Sequence, residues 1–273
     1  MVSVTAMTDR GNGSILHTCA AVPAIAIVIA TKEAARTIPH CLASIRSQGL
    51  CMCMYEVVVV DSASRDGTAE MLGQDSLISW WISKPDRGIA HAWNRAIPRL
   101  KAQWVLYLGA DDVLASPDVL ENMLQHLREN QDALVVFGSV RLAGGAWHGL
   151  VVGGPHWKRQ FSIRMTIPHQ GAFHQRALYD LVGLYDEGYV VALDYELLLR
   201  LKSTNRIVYV PELVSVMASG GLSSRLVEQS LTEAARAQVA NRTLPTLAIW
   251  FAKSYFLGRH RLRVLRQNKM VLP

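Results

Sequence analysis

Largely apolar runs alternate with amphipathic segments along the first half of the chain. The runs are short, are rich in β-branched side chains and occupy residues 24–30, 55–60, 78–82, 104–108 and 133–140. Runs of this kind predict strands that are buried on both faces of a sheet. The segments between them place apolar residues at helical spacing, as Ile38, Leu42 and Ile45 do. Strand alternating with helix predicts right-handed βαβ units, and therefore an α/β fold with a mostly parallel, Rossmann-like sheet flanked by helices.

The pattern becomes less regular in the second half. Residues 143–160, rich in Gly, Trp and His, predict a loop or a hairpin, and residues 169–185 predict irregular structure with one short helix. The remaining pattern predicts helices over 89–100, 117–129, 194–201 and 226–240, and a last strand over 207–211. Ser116 is the expected N-cap of the helix that starts at residue 117.

Charge is distributed unevenly along the chain. The net charge is +6, but eight Lys and Arg residues and no acid follow Glu233, so the remainder is mildly acidic. Aromatic and aliphatic residues are interleaved with these cations, which predicts an amphipathic, basic helical extension at the C-terminus. Such a helix suits an anionic membrane surface, and the alternative is a helix packed on the domain with its charges in water. Nucleic acid is not an expected partner.

Composition limits the class of protein. Half of the residues are hydrophobic and 18% are charged, which excludes wholesale disorder. No stretch reaches the roughly 18 apolar residues of a membrane-spanning helix. The four cysteines lack zinc-finger spacing and do not resemble a secreted disulfide framework. No signal peptide is evident before residue 24, so we expect a cytoplasmic protein, peripheral at the inner face of the cell membrane.

Acidic residues follow two of the predicted strands directly. Asp61 ends the run 55–60, and Asp111 and Asp112 follow the run that begins at Trp104. In parallel sheets these ends converge on the edge where ligands bind. Adjacent carboxylates repel unless a cation neutralises them, so the pair indicates a divalent metal that would bridge to a phosphorylated substrate. The alternative, equally supported by this segment alone, is a helix-capping Asp beside a solvated one.

Asp61 and two further positions, Gly88 and Asn94, could bind a ligand at the same edge. Asp61 could accept hydrogen bonds from a base or ribose, or could start an Asx turn before Gly67. Gly88 precedes a helix and would let backbone amides approach a phosphate. Asn94, one helical turn later, could cap or bind. None of these signals is specific alone, and the functional interpretation therefore depends on their order along the chain.

That order resembles family 2 glycosyltransferases, which are inverting enzymes with the nucleotide-sugar-binding GT-A fold. The resemblance covers roughly residues 24–222 and rests on five motifs in register. They are the first strand at 26–31, the second strand with its Asp-x-x-Ser-x-Asp-Gly-Thr turn at 58–68, the segment 85–94, the Leu-Gly-Ala-Asp-Asp motif at 108–112, and the Asp-Tyr-Glu-Leu-Leu-Leu-Arg-Leu segment at 194–201.

The resemblance implies a role for each site residue. Asp194 would be the catalytic base, Asp112 with Asp111 would bind Mg²⁺ or Mn²⁺, and His169 and Gln170 would lie on the acceptor side. The residues implied in donor binding are Thr31, Glu33, Asp61, Arg87, Gly88, Asn94 and Asp111. Alternatives remain for three positions: Asp194 as the N-cap of its helix, His169 as a structural histidine, and Glu196 with Arg200 as an exposed ion pair.

The implied function is sugar transfer. The donor would be a nucleotide-diphosphate sugar, a UDP-sugar first, and the acceptor a glycan or lipid-linked molecule in cell-surface polysaccharide or glycolipid biosynthesis. The alternative is a non-catalytic nucleotide-sugar-binding or scaffold protein on the same fold. A phospho-receiver domain is disfavoured because its acidic pair follows the first strand, where this chain has Thr31-Lys32-Glu33.

The implied organisation has three parts. Residues 1–22 would form a poorly ordered N-terminal tail, residues 23–225 the GT-A domain, and residues 226–273 the helical basic extension. Within the domain, residues 23–140 would form the nucleotide-sugar half and residues 141–225 the acceptor half.

Overall fold

The computed structural model describes residues 22–144, 148–201 and 204–269, so the predicted tail lies outside the described residues except for Val22. The strands are β1 (Ile25–Thr31), β2 (Tyr55–Asp61), β3 (Trp80–Ser83), β4 (Trp104–Gly109), β5 (Val113–Leu114), β6 (Val135–Ala143), β7 (Val151–Val152), β8 (Ala172–Gln175) and β9 (Ile207–Ala218). The helices are α1 (Ile38–Arg46), α2 (Thr68–Gln74), α3 (Ile89–Ala96), α4 (Val119–Glu129), α5 (Lys158–Phe161), α6 (Ala177–Val182), α7 (Leu193–Leu199), α8 (Leu222–Arg225), α9 (Val227–Ala240) and α10 (Thr246–Lys269).

One mixed sheet organises the described residues. Its strand order is β3-β2-β1-β4-β8-β6-β9-β5, and β7 pairs with β6 at one side. Strands β3, β2, β1 and β4 are parallel to one another, whereas β8 is antiparallel to both β4 and β6. The predicted α/β class, with a mostly parallel sheet flanked by helices, is therefore confirmed.

Hydrophobic residues cover both faces of the sheet. Ile25, Ile27 and Ile29 of β1 face a core that includes apolar residues of α1 and α4. Ala26 and Val28, on the opposite face, belong to a second core with residues of α3, α6, α7 and α9. Because both faces are covered, neither face of these strands needs polar residues, which explains the continuous apolar runs.

Several element boundaries differ from the predicted ones. Ser116 is not the N-cap of α4: Asp118 holds that position, and the Ser116 hydroxyl accepts the Asp118 N–H at 3.4 Å. Helix α3 ends at Ala96, where a 3₁₀ turn takes over. Strand β9 continues past Pro211 to Ala218, because its register with β6 shifts at this point and accommodates a residue without an N–H.

The C-terminal helices pack on the domain and on each other. Helix α9 contacts α7, and α10 contacts α9, with Ile249 of α10 only 1% exposed. Other side chains of α10 face solvent, including Leu247, Phe251 and Tyr255. Within the described part of the chain, every helix is too short or too polar to cross a lipid bilayer.

Candidate active site

Strand register places the ends of four parallel strands side by side. Thr31, the last residue of β1, pairs with Asp61, the last of β2, and Asp61 pairs with Ser83 at the end of β3. On the other side of β1, Ala30 pairs with Gly109, the last residue of β4. Open α/β sheets bind ligands at this edge. We call it the carboxyl rim.

Asp61 is fully buried at the rim, and protein groups donate hydrogen bonds to its carboxylate. It accepts the Ser64 N–H at 2.9 Å and the Ser83 hydroxyl at 2.6 Å, and it also receives the Ser64 hydroxyl. The turn expected after β2 is therefore present. Beside it, Oγ1 of Thr31 is buried without a hydrogen-bond partner among the described residues. A buried hydroxyl of this kind is destabilising unless it is satisfied, so it could hydrogen-bond to a ligand.

The loops that follow β1 and β2 are hydrogen-bonded to each other. Glu33, whose φ is +51°, donates its N–H to the Ser64 hydroxyl at 2.7 Å, and its carboxylate accepts the Arg65 N–H at 3.0 Å. Asp66 accepts the Ala35 N–H at 2.9 Å. Glu33 is therefore next to the predicted donor site, where it connects the two loops.

The acidic pair lies directly after β4, with one buried and one exposed carboxylate. Asp112 is 2% exposed and accepts backbone N–H groups from Gly109 at 3.1 Å and from Ala218 of β9 at 2.8 Å. Burial raises the pKa of Asp112 to about 6, and the negative charge of Asp111 adds to the rise. Asp112 does not cap α4, which starts at Val119, so the capping alternative is wrong.

The two carboxylates of the acidic pair both lie close to Gly109. A Cβ at this glycine would lie 2.5 Å from Oδ2 of Asp112 and 2.9 Å from Oδ1 of Asp111, so the two carboxylates converge over a space that only glycine leaves open. The described residues contain no group of three or more His, Cys, Asp or Glu side chains arranged for a metal. Mg²⁺ sites commonly use one or two carboxylates and complete their shell with water and substrate phosphates, and this pair fits such a site.

Helix α3 and the segment before it are connected to the loop that follows α6. The Asn94 side chain donates to the Tyr185 carbonyl at 2.8 Å and accepts the Tyr185 N–H at 3.0 Å. The Arg87 guanidinium is bound to the Glu187 carboxylate. Gly88 has a φ of +121°, and no atom lies within 4 Å of where a Cβ would stand. Gly88 therefore leaves space for a ligand. The side chains of Arg87 and Asn94, in contrast, are already bonded to the loop that follows α6.

His169 and Gln170 lie in the 3₁₀ turn before β8, and the His169 ring belongs to an aromatic cluster. The His169 ring stacks on Tyr107 with centroids 5.0 Å apart. Burial and the neighbouring His174 hold the pKa of His169 well below its usual range, so the ring is neutral at physiological pH. Its Nδ1 is buried without a hydrogen-bond partner among the described residues. The carbonyl of Gln170 accepts the Ser215 hydroxyl at 2.8 Å.

Asp194 is the second residue of α7 rather than its N-cap, which is Ala192, so the capping alternative is wrong here too. Its carboxylate accepts the Tyr195 N–H at 2.7 Å. Burial raises the pKa of Asp194 to about 6, with hydrogen bonds from the backbone opposing the rise. A carboxylate with a pKa just below neutral pH is ionised and yet basic enough to take a proton.

The Glu196–Arg200 pair differs from its predicted exposure. Glu196 is 6% exposed, and its Oε2 lies 2.8 Å from Nη2 of Arg200. Arg200 also donates to the carbonyl of Val182 at 2.6 Å. The i,i+4 spacing is as predicted, but the pair is enclosed because α7 packs against α9 and the sheet, so the expectation of an exposed pair is wrong.

The predicted residues fall into two groups. Thr31, Glu33, Asp61 and the acidic pair share the carboxyl rim, and Asp194 stands on α7; no hydrogen bond or ion pair joins its carboxylate to the rim among the described residues. Sequence reasoning missed the two serines that solvate Asp61. The Asp-x-x-Ser spacing could have identified Ser64, but Ser83 reaches Asp61 only through strand pairing.

The family model described as glycosyl transferase family 2 matches residues 26–181. A PGL/p-HBAD biosynthesis glycosyltransferase of Mycobacterium bovis (strain BCG / Pasteur 1173P2) is 31% identical over 222 residues, which covers 77% of this chain and 82% of the relative.

Two solved structures share the fold at low sequence identity. The S. aureus TarS 1-349 structure in complex with UDP-GlcNAc has a TM-score of 0.64 and 18% identity, and the match covers 87% of this chain and 72% of that one. The mannosyltransferase PcManGT from Pyrobaculum calidifontis, in complex with GDP-Man and Mn²⁺, has a TM-score of 0.60 and 18% identity over 92% of this chain and 81% of that one.

Proposed function

The chain belongs to glycosyl transferase family 2, and from this membership we propose that it is an inverting, metal-dependent enzyme that uses a nucleotide-diphosphate sugar. The donor we propose is a UDP-sugar, bound at the carboxyl rim. One observation carries the proposal: both carboxylates of the acidic pair approach Gly109 at the carboxyl rim, in the same molecule as an Asp194 whose pKa burial raises to about 6.

Different residues of the carboxyl rim would bind different parts of the donor. Asp111 and Asp112 would hold Mg²⁺ or Mn²⁺, which would neutralise negative charge on the departing diphosphate. The unsatisfied Thr31 hydroxyl and the buried Asp61 carboxylate support a role in binding the base and ribose. The backbone at Gly88, which has no side chain in the way, would approach the phosphates.

Asp194 would act on the acceptor. Its carboxylate would remove the proton of the acceptor hydroxyl as that oxygen bonds to the anomeric carbon and the bond to the diphosphate breaks on the opposite face. This displacement inverts the anomeric configuration, and the proton ends on Asp194. The raised pKa supports the assignment because a base near the working pH transfers protons most efficiently.

The acceptor we propose is a glycan or lipid-linked molecule of cell-surface polysaccharide or glycolipid biosynthesis. Leu247, Phe251 and Tyr255 follow each other at four-residue spacing on α10 and are 75%, 75% and 59% exposed. Lys253 lies on the same helix, with its ammonium 4.8 Å from the ring centroid of Trp250. An exposed aromatic stripe beside cations supports contact with an anionic membrane surface, which would bring the enzyme to a lipid-linked acceptor.

The test is a ligand screen followed by an activity measurement. Thermal unfolding with UDP- and GDP-sugars, with and without Mn²⁺, should show stabilisation by the true donor only when the metal is present, because ligands that bind the native state raise its stability. Release of UDP with an acceptor panel then measures turnover. Metal-dependent binding with no turnover on any acceptor would favour the non-catalytic alternative, and absence of binding would refute the proposal.

A further inference from the structure

Glu233 is a buried carboxylate of α9 that the proposed mechanism does not use. It is 6% exposed, and its Oε2 accepts three consecutive backbone N–H groups, from Val190 at 3.0 Å, Val191 at 2.8 Å and Ala192 at 3.0 Å. These three hydrogen bonds compensate the Glu233 carboxylate for the hydrogen bonds to water that it loses on burial. Burial raises the pKa of Glu233, and the backbone donors outweigh that effect, so its pKa lies below the ordinary range and the carboxylate is ionised.

The three amides lie directly upstream of Asp194. Ala192 is the N-cap of α7, and Asp194 follows two residues later. The first N–H groups of a helix have no partner within it, and negative charge near a helix N-terminus is favourable. The Glu233 carboxylate therefore fixes both the path of the chain into α7 and the start of the helix that carries Asp194.

Helix α9 holds this segment at two further points. Nη2 of Arg236 donates to the carbonyl of Gly188 at 2.6 Å. The guanidinium of Arg236 also lies over the Tyr189 ring, with its Cζ 3.8 Å from the ring centroid. The Gln238 amide donates to the Tyr195 hydroxyl at 3.0 Å. Contacts from α9 therefore run along residues 188–195, and those of Glu233 lie at the centre of this segment.

We propose that Glu233 is a positioning residue for Asp194: its carboxylate fixes residues 190–192 so that Asp194 meets the acceptor hydroxyl in a productive direction. The inference rests on the proposed role of Asp194 as the base. It also assigns a positioning role to α9, which lies beyond the region that the family model matches.

Two variants of the full-length protein test the proposal. Glu233→Gln keeps an oxygen that can accept the amides but removes the charge, whereas Glu233→Leu leaves three buried N–H groups unpaired. Because a misplacement of about 1 Å can reduce turnover about 100-fold, we expect kcat to fall roughly 10-fold for Gln and roughly 100-fold for Leu. Glu228→Gln is the matched control, because Glu228 lies on the same helix, exposed and paired with Arg261.

The measurement must separate positioning from loss of folded protein. Turnover, followed as UDP release from UDP-GlcNAc or from the sugar nucleotide that the screen identifies, is divided by the stoichiometry of Mn²⁺-dependent UDP binding. A positioning role lowers this normalised kcat in the order Glu, Gln, Leu and leaves the donor KM within about twofold, since uniform binding is untouched. A merely structural role lowers binding stoichiometry and leaves normalised kcat unchanged, which would overturn the inference.

Asp194→Asn separates the two proposals. If this variant keeps full turnover, the base assignment fails and the inference fails with it. If it loses turnover while both Glu233 variants keep normal normalised kcat, only the positioning role is refuted. The Gln variant keeps the test decisive if the Leu variant does not fold.

Discussion

Asp194 should weaken the folded protein at neutral pH while enabling its chemistry. Its pKa is raised from 3.8 to about 6 by burial, so the ionised form is disfavoured in the folded state. Asp194→Asn removes the charge and keeps an oxygen that can accept the Tyr195 N–H. We expect this variant to be inactive in sugar transfer, more stable than the parent and still able to bind the donor.

The magnitude follows from the pKa difference. A rise of about 2 units corresponds to about 3 kcal/mol of unfolding free energy at pH 8, where the carboxylate is ionised in both states. As the pH falls through 6 the folded form takes up its proton first, so the penalty shrinks to about half at pH 5 and vanishes below about pH 4. The stabilisation of Asp194→Asn should follow the same course.

Urea unfolding of parent and variant at pH 8 and pH 5 measures the effect. The difference in unfolding free energy should be about 3 kcal/mol at pH 8 and about half as large at pH 5. In the parent, kcat should fall tenfold per pH unit below about pH 6, because the base is then protonated. An Asn variant that is no more stable than the parent at pH 8 would refute the argument that burial raises this pKa.

Three other predictions test the rim, the C-terminal helix and the enclosed ion pair. Gly109→Ala should weaken Mn²⁺-dependent UDP binding at least about tenfold in calorimetry, because its Cβ would overlap the Asp112 carboxylate. The control Gly154→Ala should leave this binding unchanged, because a Cβ at Gly154 would meet no atom within 4 Å. Deleting residues 245–273 should release the protein from anionic vesicles in flotation assays, and unchanged binding would favour a purely packed helix. Arg200→Met should lower unfolding free energy by about 3 kcal/mol in urea titrations, since it leaves Glu196 buried and unpaired; a change under about 1 kcal/mol would contradict this.

The N-terminal half of the fold was predictable because its information is local. Uninterrupted apolar runs such as 104–108 specify strands covered on both faces, and the parallel order of β1, β2 and β4 then places their ends on one rim. The placement of Asp61 beside Thr31 follows from that order alone.

The second half depends on contacts that a local pattern does not encode. Strand β8 is four residues long and carries His174, yet it is buried between β4 and β6. The proline at 211 suggested a strand end, but a register shift carries β9 past it. Glu233 has no motif of its own, and its role depends on three amides more than forty residues earlier in the chain.

The hydrogen bond from the Ala218 amide to Asp112 can form only late in the synthesis of the chain. These residues are 106 positions apart, so a ribosome that has just released the acidic pair still has β9 to synthesise. Chains generally fold from the N-terminus as they emerge, and the strands β1 to β4 can therefore pair while Asp112 lacks one of its two amide partners. The nascent chain can thus pair these four strands before both amide partners of Asp112 exist, and a stalled or truncated product that ends before Ala218 would lack the hydrogen bond from that amide to the Asp112 carboxylate.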